Sequence, residues 1–300
     1  MRTPRSVLVV VGLAASALVA GCSARANYRL PPITQAPTPV TEPGRFVWFE
    51  LVTDDAAAAE AFYGGLFGWQ FSEDPDSGVD YRTITHGGVP IGGIAAVPKR
   101  EEDESEEEGV RKQPPAAAAW LATMAVPDLD AQLAPLALQG GLLHLGPLQV
   151  EGRGRMAVAS DPGGAMIVLL QPSDGAPPES GHEPGRWIWV ELWAEKPARE
   201  VDFYNRWVGY RAVEVKTPSA PAYRVFVRGT TPRAGLAEIP IRNVKPNWLP
   251  YVQVADVKAA VDHALQLGAR LFARDDDAAV LIDPTGAAIG IQEWHGGISG

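Results

Sequence analysis

Few side chains in this 300-residue chain are placed to carry out chemistry. The five histidines are His86, His144, His182, His263 and His295. No two of them have a spacing that puts two metal ligands on one helix or strand, although His86 and His144 lie on predicted strands. Cys22 is the only cysteine, which excludes an intramolecular disulfide and a cysteine zinc site. No Gly-rich phosphate loop or Gly-x-Ser-x-Gly turn supports a nucleotide-binding or serine hydrolase function.

The charge of the chain bears on its partners. The formal net charge is −10 at pH 7, and an acidic surface repels phosphate backbones, so we predict no nucleic-acid partner. Seven of the 36 acidic residues lie in KREEDESEEEGVRKQPP, residues 99–115, which cannot pack into a core and is predicted to be a surface loop. We interpret it as a solvated loop, with binding of a protein partner or collection of cations as the alternatives.

An internal repeat organises the chain. A shift of 141 residues aligns ten identical residues within 26 ungapped positions. They are Pro43, Gly44, Arg45, Trp48, Glu50, Leu51, Ala57, Phe62, Tyr63 and Gly68, aligned with their counterparts from Pro184 to Gly209. Further identities follow at shifts of 142, 128 and 122, and the change to 128 marks an insertion at residues 99–115 of the first copy. We therefore predict two similar domains, 44–172 and 185–295, joined by a Pro/Gly/Ser-rich linker, 173–184.

Each copy contains the same succession of elements twice. In the first copy, a strand at 45–53 precedes an alanine-rich helix that begins at Asp54 or Asp55 and ends at Gly68. The remaining elements of this copy are strands at 69–72, 79–86, 89–97 and 119–126, a helix over Asp128–Gln139, and strands at 142–150, 154–159 and 165–171. The predicted fold class is α+β, with four βαβββ modules paired into two domains.

The first 43 residues are set apart from these domains. A basic start, an apolar run over residues 6–20 and the sequence Val19-Ala20-Gly21-Cys22 resemble the signal peptide and lipobox of bacterial lipoproteins. The resemblance implies removal of residues 1–21, lipidation of Cys22 and a membrane anchor in the cell envelope, and the following serine favours the periplasmic face of the outer membrane. Residues 22–43 are rich in proline, and we predict an extended tether there.

The repeated motifs also resemble a known superfamily. The first copy carries GRFVWFELVTDD…AFYGGLFGW, WLATMAVPDLDA and DPGGAMIVLLQP, and the second carries GRWIWVELWAE…DFYNRWVGY, WLPYVQVADVKAA and DPTGAAIGIQEW. In this order and twice over, they are similar to the vicinal oxygen chelate superfamily, which contains glyoxalases, extradiol dioxygenases and bleomycin-resistance proteins. The resemblance implies two cup-shaped glyoxalase-like domains that together cover nearly all of residues 44–295.

The resemblance implies a place for a metal. In that family a divalent cation lies at the base of the cup, held by His or Gln near the first strand of a module and by Glu on the last. The equivalent positions here are Phe49, Leu121, Val168, Val190, Leu249 and Gly290. None of these six side chains can coordinate a cation, so we predict no metal, no cofactor and no catalytic residue, and instead an apolar cup floor.

Glu50 and Glu191 recur one residue away from the implied cup positions. Because successive side chains of a strand point to opposite faces, we expect both glutamates to face the helices. There they would accept hydrogen bonds from the helix or from a tyrosine, since a half-buried carboxylate needs partners. Trp48 and Trp189 would share that face as core residues.

The pairs Tyr81-Arg82 and Tyr223-Arg224 recur as well, on the strand that follows the loop after the helix. Strand alternation allows only one side chain of each pair to enter the cup. We include Arg82 and Arg224 among the candidate ligand-binding residues, because a guanidinium offers a fixed fork of donors to an anionic or planar ligand.

Together these features predict a membrane-anchored protein that binds a small, mostly apolar organic molecule. The candidate site residues are Phe49, Leu121, Val168, Val190, Leu249, Arg82 and Arg224. One alternative is a lyase, isomerase or dioxygenase of the same superfamily whose divalent metal is held by Glu238, His86 or His144. Another alternative is a structural or interaction module whose cups are filled by side chains.

Overall fold

The computed structural model describes residues 29–40, 42–75, 77–98, 118–179, 181–215, 223–241 and 244–296. The predicted signal peptide, the lipidation site at Cys22 and the acidic loop 99–115 lie outside these residues. Within the described part of the chain, no helix combines the length and the hydropathy needed to cross a bilayer.

The first eight strands form one sheet. Its elements are β1 (Phe46–Thr53), α1 (Ala56–Phe67), β2 (Gln70–Glu73), β3 (Tyr81–His86), β4 (Val89–Ala96), β5 (Ala119–Ala125), α2 (Leu129–Leu133), β6 (Leu142–Val150), β7 (Gly154–Ser160) and β8 (Met166–Pro172). The strand order is β2-β3-β4-β1-β5-β8-β7-β6, so the two modules join edge to edge through an antiparallel β1–β5 pair. Within each module, the first strand runs parallel to the last.

The second half of the chain repeats this arrangement. Its elements are β9 (Trp187–Ala194), α3 (Pro197–Val208), β10 (Arg211–Val215), β11 (Tyr223–Arg228), β12 (Thr231–Glu238), β13 (Asn247–Val254), α4 (Val257–Gln266), β14 (Arg270–Arg274), β15 (Ala278–Ile282) and β16 (Ala288–Glu293). The order β10-β11-β12-β9-β13-β16-β15-β14 matches that of the first sheet. The predicted α+β class with four βαβββ modules is confirmed.

Local sequence explains where the helices begin and end. The Asp55 side chain accepts a hydrogen bond from the Ala58 backbone N–H (3.1 Å) at the start of α1, and Gly68 ends the helix with a φ of 68°. The helix predicted over Asp128–Gln139 is shorter than expected, because α2 ends at Leu133. Pro135 has no backbone N–H to continue it, and only a single 3₁₀ turn follows, at Ala137–Gln139.

The two sheets share one hydrophobic core. The faces that carry α1 and α3 pack against each other, and the buried cluster between them contains Phe49 and Leu51 from one sheet and Val190 and Leu192 from the other. The rings of Phe49 and Trp187 lie 4.5 Å apart, centroid to centroid. The helix-bearing face of each sheet is therefore buried by the other half of the chain.

Residues retained in both copies join the halves with a pair of reciprocal hydrogen bonds. The Tyr63 hydroxyl donates to Asp283 Oδ2 (2.8 Å), and the equivalent Tyr204 donates to Asp161 Oδ2 (3.2 Å). Each hydroxyl also accepts from an indole N–H, that of Trp120 at Tyr63 and that of Trp248 at Tyr204. The retention of these residues in both copies thus has a structural explanation, which is an approximate twofold interface between the halves.

The described part of the predicted tether does not extend away from the body. Residues 29–40 lie across the first sheet, where the Leu30 N–H donates to the Glu151 carbonyl (3.0 Å) and Ile33 packs in a buried cluster with Trp48. Leu30 and Ile33 are both buried. The prediction of an extended spacer is wrong for these residues, because their apolar side chains gain more from burial than from a solvated polyproline conformation.

Candidate functional site

Each sheet curls so that the face opposite the helices is concave. In the first sheet, one cavity is lined by Tyr81 and Ala95 from one wing and by Leu148 and Met156 from the other, although these strands lie far apart in the strand order. We call this surface the first concave face and define it by Trp48, Glu50, Tyr81, Leu121 and Arg153. The equivalent second concave face is defined by Trp189, Glu191, Tyr223, Leu249 and Tyr251.

The structure places the two recurring glutamates in these concave faces. Glu50 pairs across the β1–β5 register with Leu121, and it lines the cavity of the first face. Phe49 and Val190 point the opposite way, into the core between the halves. The predicted orientation is therefore wrong for the two glutamates and for Phe49 and Val190. The alignment with the superfamily motif was shifted by one residue, and such a shift assigns each side chain of a strand to the opposite face. Trp48 and Trp189 also lie on the concave side.

The other implied cup positions fall on the concave side. Leu121 lies opposite Glu50, and Leu249 lies opposite Glu191. Val168 lies beside Thr123, which pairs with Trp48. Gly290 lies beside Tyr251, and a Cβ at this glycine would fall 2.3 Å from the tyrosine ring. The Tyr251 ring therefore occupies the space that a side chain at position 290 would need. A ligand-binding role for Leu121, Val168 and Leu249 stays a prediction.

Arg82 and Arg224 do not enter the concave faces. Arg82 forms ion pairs with Glu60 of α1 and with Glu73 (3.3 Å), on the helix side of the sheet. Arg224 lies opposite Leu236, a member of the core between the halves. The side chains that enter are those of Tyr81 and Tyr223, so the prediction that the arginines clamp a ligand is wrong.

The first concave face is filled by the chain itself. Arg153, from the turn between β6 and β7, has a side chain with 0% exposure, and its Nη1 donates to Glu50 Oε1 (3.1 Å). Its Nη2 donates to the Tyr81 hydroxyl (3.1 Å) and its Nε to the Pro31 carbonyl (2.7 Å). The guanidinium lies 4.9 Å from the Trp48 ring centroid, a cation–π distance. Burial raises the pKa of the Tyr81 phenol, which keeps it a neutral donor to Glu50.

Little space remains beside this arrangement. The cavity of the first concave face has a volume of ≈ 60 Å³, and Leu30 of the N-terminal segment forms part of its wall. Ligand pockets usually measure about 300–1,000 Å³. This cavity is therefore too small for an organic ligand.

The second concave face holds its carboxyl group in a different way. Glu191 Oε2 accepts hydrogen bonds from Trp193 Nε1 (2.8 Å) and from the Tyr251 hydroxyl (2.8 Å), while Trp189 Nε1 donates to the Tyr223 hydroxyl (2.9 Å). Burial raises the pKa of Glu191. No lysine or arginine among the described residues forms an ion pair with this carboxylate. The face thus presents a buried acid surrounded by aromatic rings.

Sequence reasoning missed Arg153. It lies in the hairpin sequence Glu-Gly-Arg-Gly-Arg, where nothing local indicates which of the two arginines turns inward. Arg155 remains at the surface and pairs with Asp130 (2.8 Å). Alignment of the two copies gives a signal for Arg153. The turn that carries it in the first copy carries Asp275, Asp276 and Asp277 in the second, so this turn differs in charge between the copies.

Comparison with known proteins is consistent with this architecture. Residues 45–85 match the model of the bleomycin resistance protein-like N-terminal domain, and residues 187–291 match the glyoxalase-like domain. The putative glyoxylase CFP32 of Mycobacterium bovis is 31% identical over 252 residues, which cover 81% of this chain and 92% of that protein. The chain belongs to the glyoxalase-like, bleomycin-resistance-like proteins of the vicinal oxygen chelate superfamily.

Two further similarities extend this assignment. The anthracycline biosynthesis protein DnrV of Streptomyces peucetius is 31% identical over 268 residues, which cover 85% of this chain and 95% of that protein. The crystal structure of a Mn(II)-bound glyoxalase from Novosphingobium aromaticivorans superposes with a TM-score of 0.55 at 12% identity, covering 85% of this chain and 83% of that one. At that identity the solved structure supports the fold alone.

The donors present do not fit the divalent cation of the metal-binding superfamily members. Across the described ranges, no group of three or more His, Cys, Asp or Glu residues could hold a metal ion. Each concave face carries one glutamate, and Glu50 is already paired with Arg153. The alternative ligands are not brought together, since His86 lies on β3, His144 on β6 and Glu238 on β12 of the other sheet. His144 Nε2 instead contacts Ser160 Oγ (2.8 Å), and Glu238 is exposed.

Proposed function

We propose that this glyoxalase-like protein is a membrane-anchored binder of a small, largely apolar aromatic molecule, and that the second concave face is its binding site. The observation that carries the proposal is the contrast between the two faces. The first is filled by Arg153 and covered by residues 29–40. Among the described residues, neither a buried arginine nor the N-terminal segment covers the second, against which Ile239 and Val244 of the β12–β13 connection pack.

The lining of the second concave face supports an aromatic ligand. Trp189 and Phe272 are half-buried, so part of each ring is accessible, and they pack with the more deeply buried Trp193 and Tyr251. Aromatic rings prefer offset or edge-to-face contact with another ring. The relative named for anthracycline biosynthesis points in the same direction, because anthracyclines are polycyclic aromatic compounds. We therefore propose a planar ligand with at least two fused rings.

Replacing Trp189 with alanine is expected to weaken binding of such a ligand at least tenfold. The change removes an aromatic contact and the apolar area of the indole, and a tenfold loss corresponds to about 1.4 kcal/mol. The measurement is isothermal titration of the purified full chain with 1,4-dihydroxyanthraquinone. Trp294→Ala is the matched control, because Trp294 stacks on His182 (ring centroids 3.7 Å apart) and does not belong to the ring cluster of this face. Equal losses in the two variants would place the site elsewhere.

The membrane anchor rests on the lipobox-like sequence. We expect the chain expressed in a Gram-negative bacterium to begin at Cys22, to carry acyl chains and to fractionate with the outer membrane. Mass spectrometry of the intact protein checks this directly. Cys22→Ser should retain residues 1–21 and gain no lipid, whereas Ser23→Ala should still be lipidated. An unmodified Cys22 thiol in the wild-type protein would refute the anchor.

A further inference from the structure

Because the chain is an internal repeat, the two concave faces can be compared residue by residue. Trp48, Glu50 and Tyr81 of the first face correspond to Trp189, Glu191 and Tyr223 of the second. The contacts within each trio correspond as well, since Trp48 Nε1 donates to the Tyr81 hydroxyl (3.3 Å) and Trp189 Nε1 donates to the Tyr223 hydroxyl (2.9 Å). The same three side chains are thus held in the same relation twice.

In the first face, this trio surrounds a cation. The Arg153 guanidinium donates to Glu50 and to Tyr81 and lies 4.9 Å from the Trp48 ring centroid and 5.8 Å from that of Tyr81. A carboxylate with two aromatic faces is the arrangement that recognises guanidinium and ammonium groups. Arg153 is therefore a ligand supplied by the chain itself.

In the second face, no described residue supplies such a cation. The turn that corresponds to the one bearing Arg153 carries Asp275, Asp276 and Asp277, and all three are exposed. The charge of Asp275 acts on Glu191 and contributes to raising its pKa, after the larger effect of burial. The surroundings of Glu191 thus favour an added positive charge.

We propose that the second concave face binds an organic cation, in which a guanidinium or ammonium group on an aromatic body pairs with Glu191 and contacts the rings of Trp189 and Tyr223. This inference rests on the proposed function, because it places the cationic group in the same site. Trp193 and Tyr251 donate to Oε2 and the Tyr223 side chain also hydrogen-bonds the carboxylate, which has about four acceptor sites in all and so retains capacity to accept from the ligand. A bound cation also stabilises the ionised form of Glu191.

The test compares two probes that differ in charge but have nearly the same shape. Isothermal titration of the full chain at pH 7.5 uses 2-naphthylmethylammonium and the neutral 2-naphthylmethanol. We expect the cation to bind at least tenfold more tightly than the alcohol. In Glu191→Gln the two probes should bind within about twofold of each other. Glu195→Gln, which changes an exposed glutamate just beyond β9, should keep the preference.

The outcomes separate this inference from the proposed function. Equal affinities for the two probes in the wild-type protein would overturn the cation site and leave the aromatic site standing. A preference that survives in Glu191→Gln would also overturn it. Binding of neither probe would count against both. If Glu191→Gln does not fold, as judged by thermal unfolding, Trp189→Leu serves instead, because it removes the ring while keeping an apolar side chain and should reduce the preference at least threefold.

Discussion

Replacing Arg153 with methionine is expected to lower the free energy of unfolding by about 3–5 kcal/mol, as measured by urea denaturation at neutral pH. The arginine side chain is fully buried, and its removal leaves Glu50 without the cation that offsets its burial. The Tyr81 hydroxyl and the Pro31 carbonyl each lose a partner as well. The N-terminal segment 29–40 should therefore loosen from the first concave face in the same variant.

Two further variants show whether the cause is the buried charge. Arg155→Met is the matched control, because this neighbouring arginine pairs with Asp130 at the surface, where such pairs contribute about 0–1 kcal/mol. Adding Glu50→Gln to Arg153→Met should recover part of the loss, since it removes the carboxylate left without a cation. Equal losses in Arg153→Met and Arg155→Met would contradict this account.

Millimolar guanidinium should also restore part of the stability of Arg153→Ala, a truncation that leaves space for a small cation. Sodium at the same ionic strength should not, because it offers no planar fork of donors to Glu50 and Tyr81. The thermal midpoint in each salt is the measurement. This rescue would support the view that the repeated trio of Trp, Glu and Tyr is built to hold a cation.

Stability is expected to fall as the pH rises from about 4 to about 7, through the carboxyl group of Asp161. Burial, which is the larger cause, and like-charge repulsion from the nearby Glu200 carboxyl together raise the pKa of Asp161 to about 7. In the unfolded chain this group loses its proton near pH 4, whereas in the folded protein it retains it until near pH 7. The contribution to stability is therefore fully present below pH 4 and is lost by pH 7.

The variant Asp161→Asn isolates this effect. Relative to the wild type, its free energy of unfolding should rise by an amount on the order of a few kcal/mol between pH 5 and pH 8, as measured by urea denaturation. Glu200→Gln should move the wild-type transition to lower pH, because it removes the neighbouring charge. A difference between wild type and Asp161→Asn that is the same at both pH values would show that Asp161 ionises normally in the fold.

These two predictions concern residues whose importance was not evident from their surroundings in the chain. In the sequence, Asp161 stands out only as part of a repeated Asp-Pro motif, and Arg153 belongs to no repeated motif. Their partners lie far away in the sequence, since Glu50 is 103 residues from Arg153 and Tyr204 is 43 residues from Asp161. No local pattern reports a contact over such a separation.

The sequence by itself determined the repeat and the succession of strands and helices along the chain, because hydrophobic alternation, helix caps and glycine breaks are local properties. The superfamily was indicated by the resemblance of the repeated motifs. Only the tertiary structure decided which face of β1 and β9 is concave, since a shift of one residue exchanges the two faces of a strand without changing its periodicity. The tertiary structure also decided that residues 29–40 cover the first sheet and that Arg153 fills it. The second concave face lacks such a buried arginine, because Asp275–Asp277 occupy the equivalent turn. That this turn faces the glutamate at all follows from the curl of the sheet, which is a tertiary property.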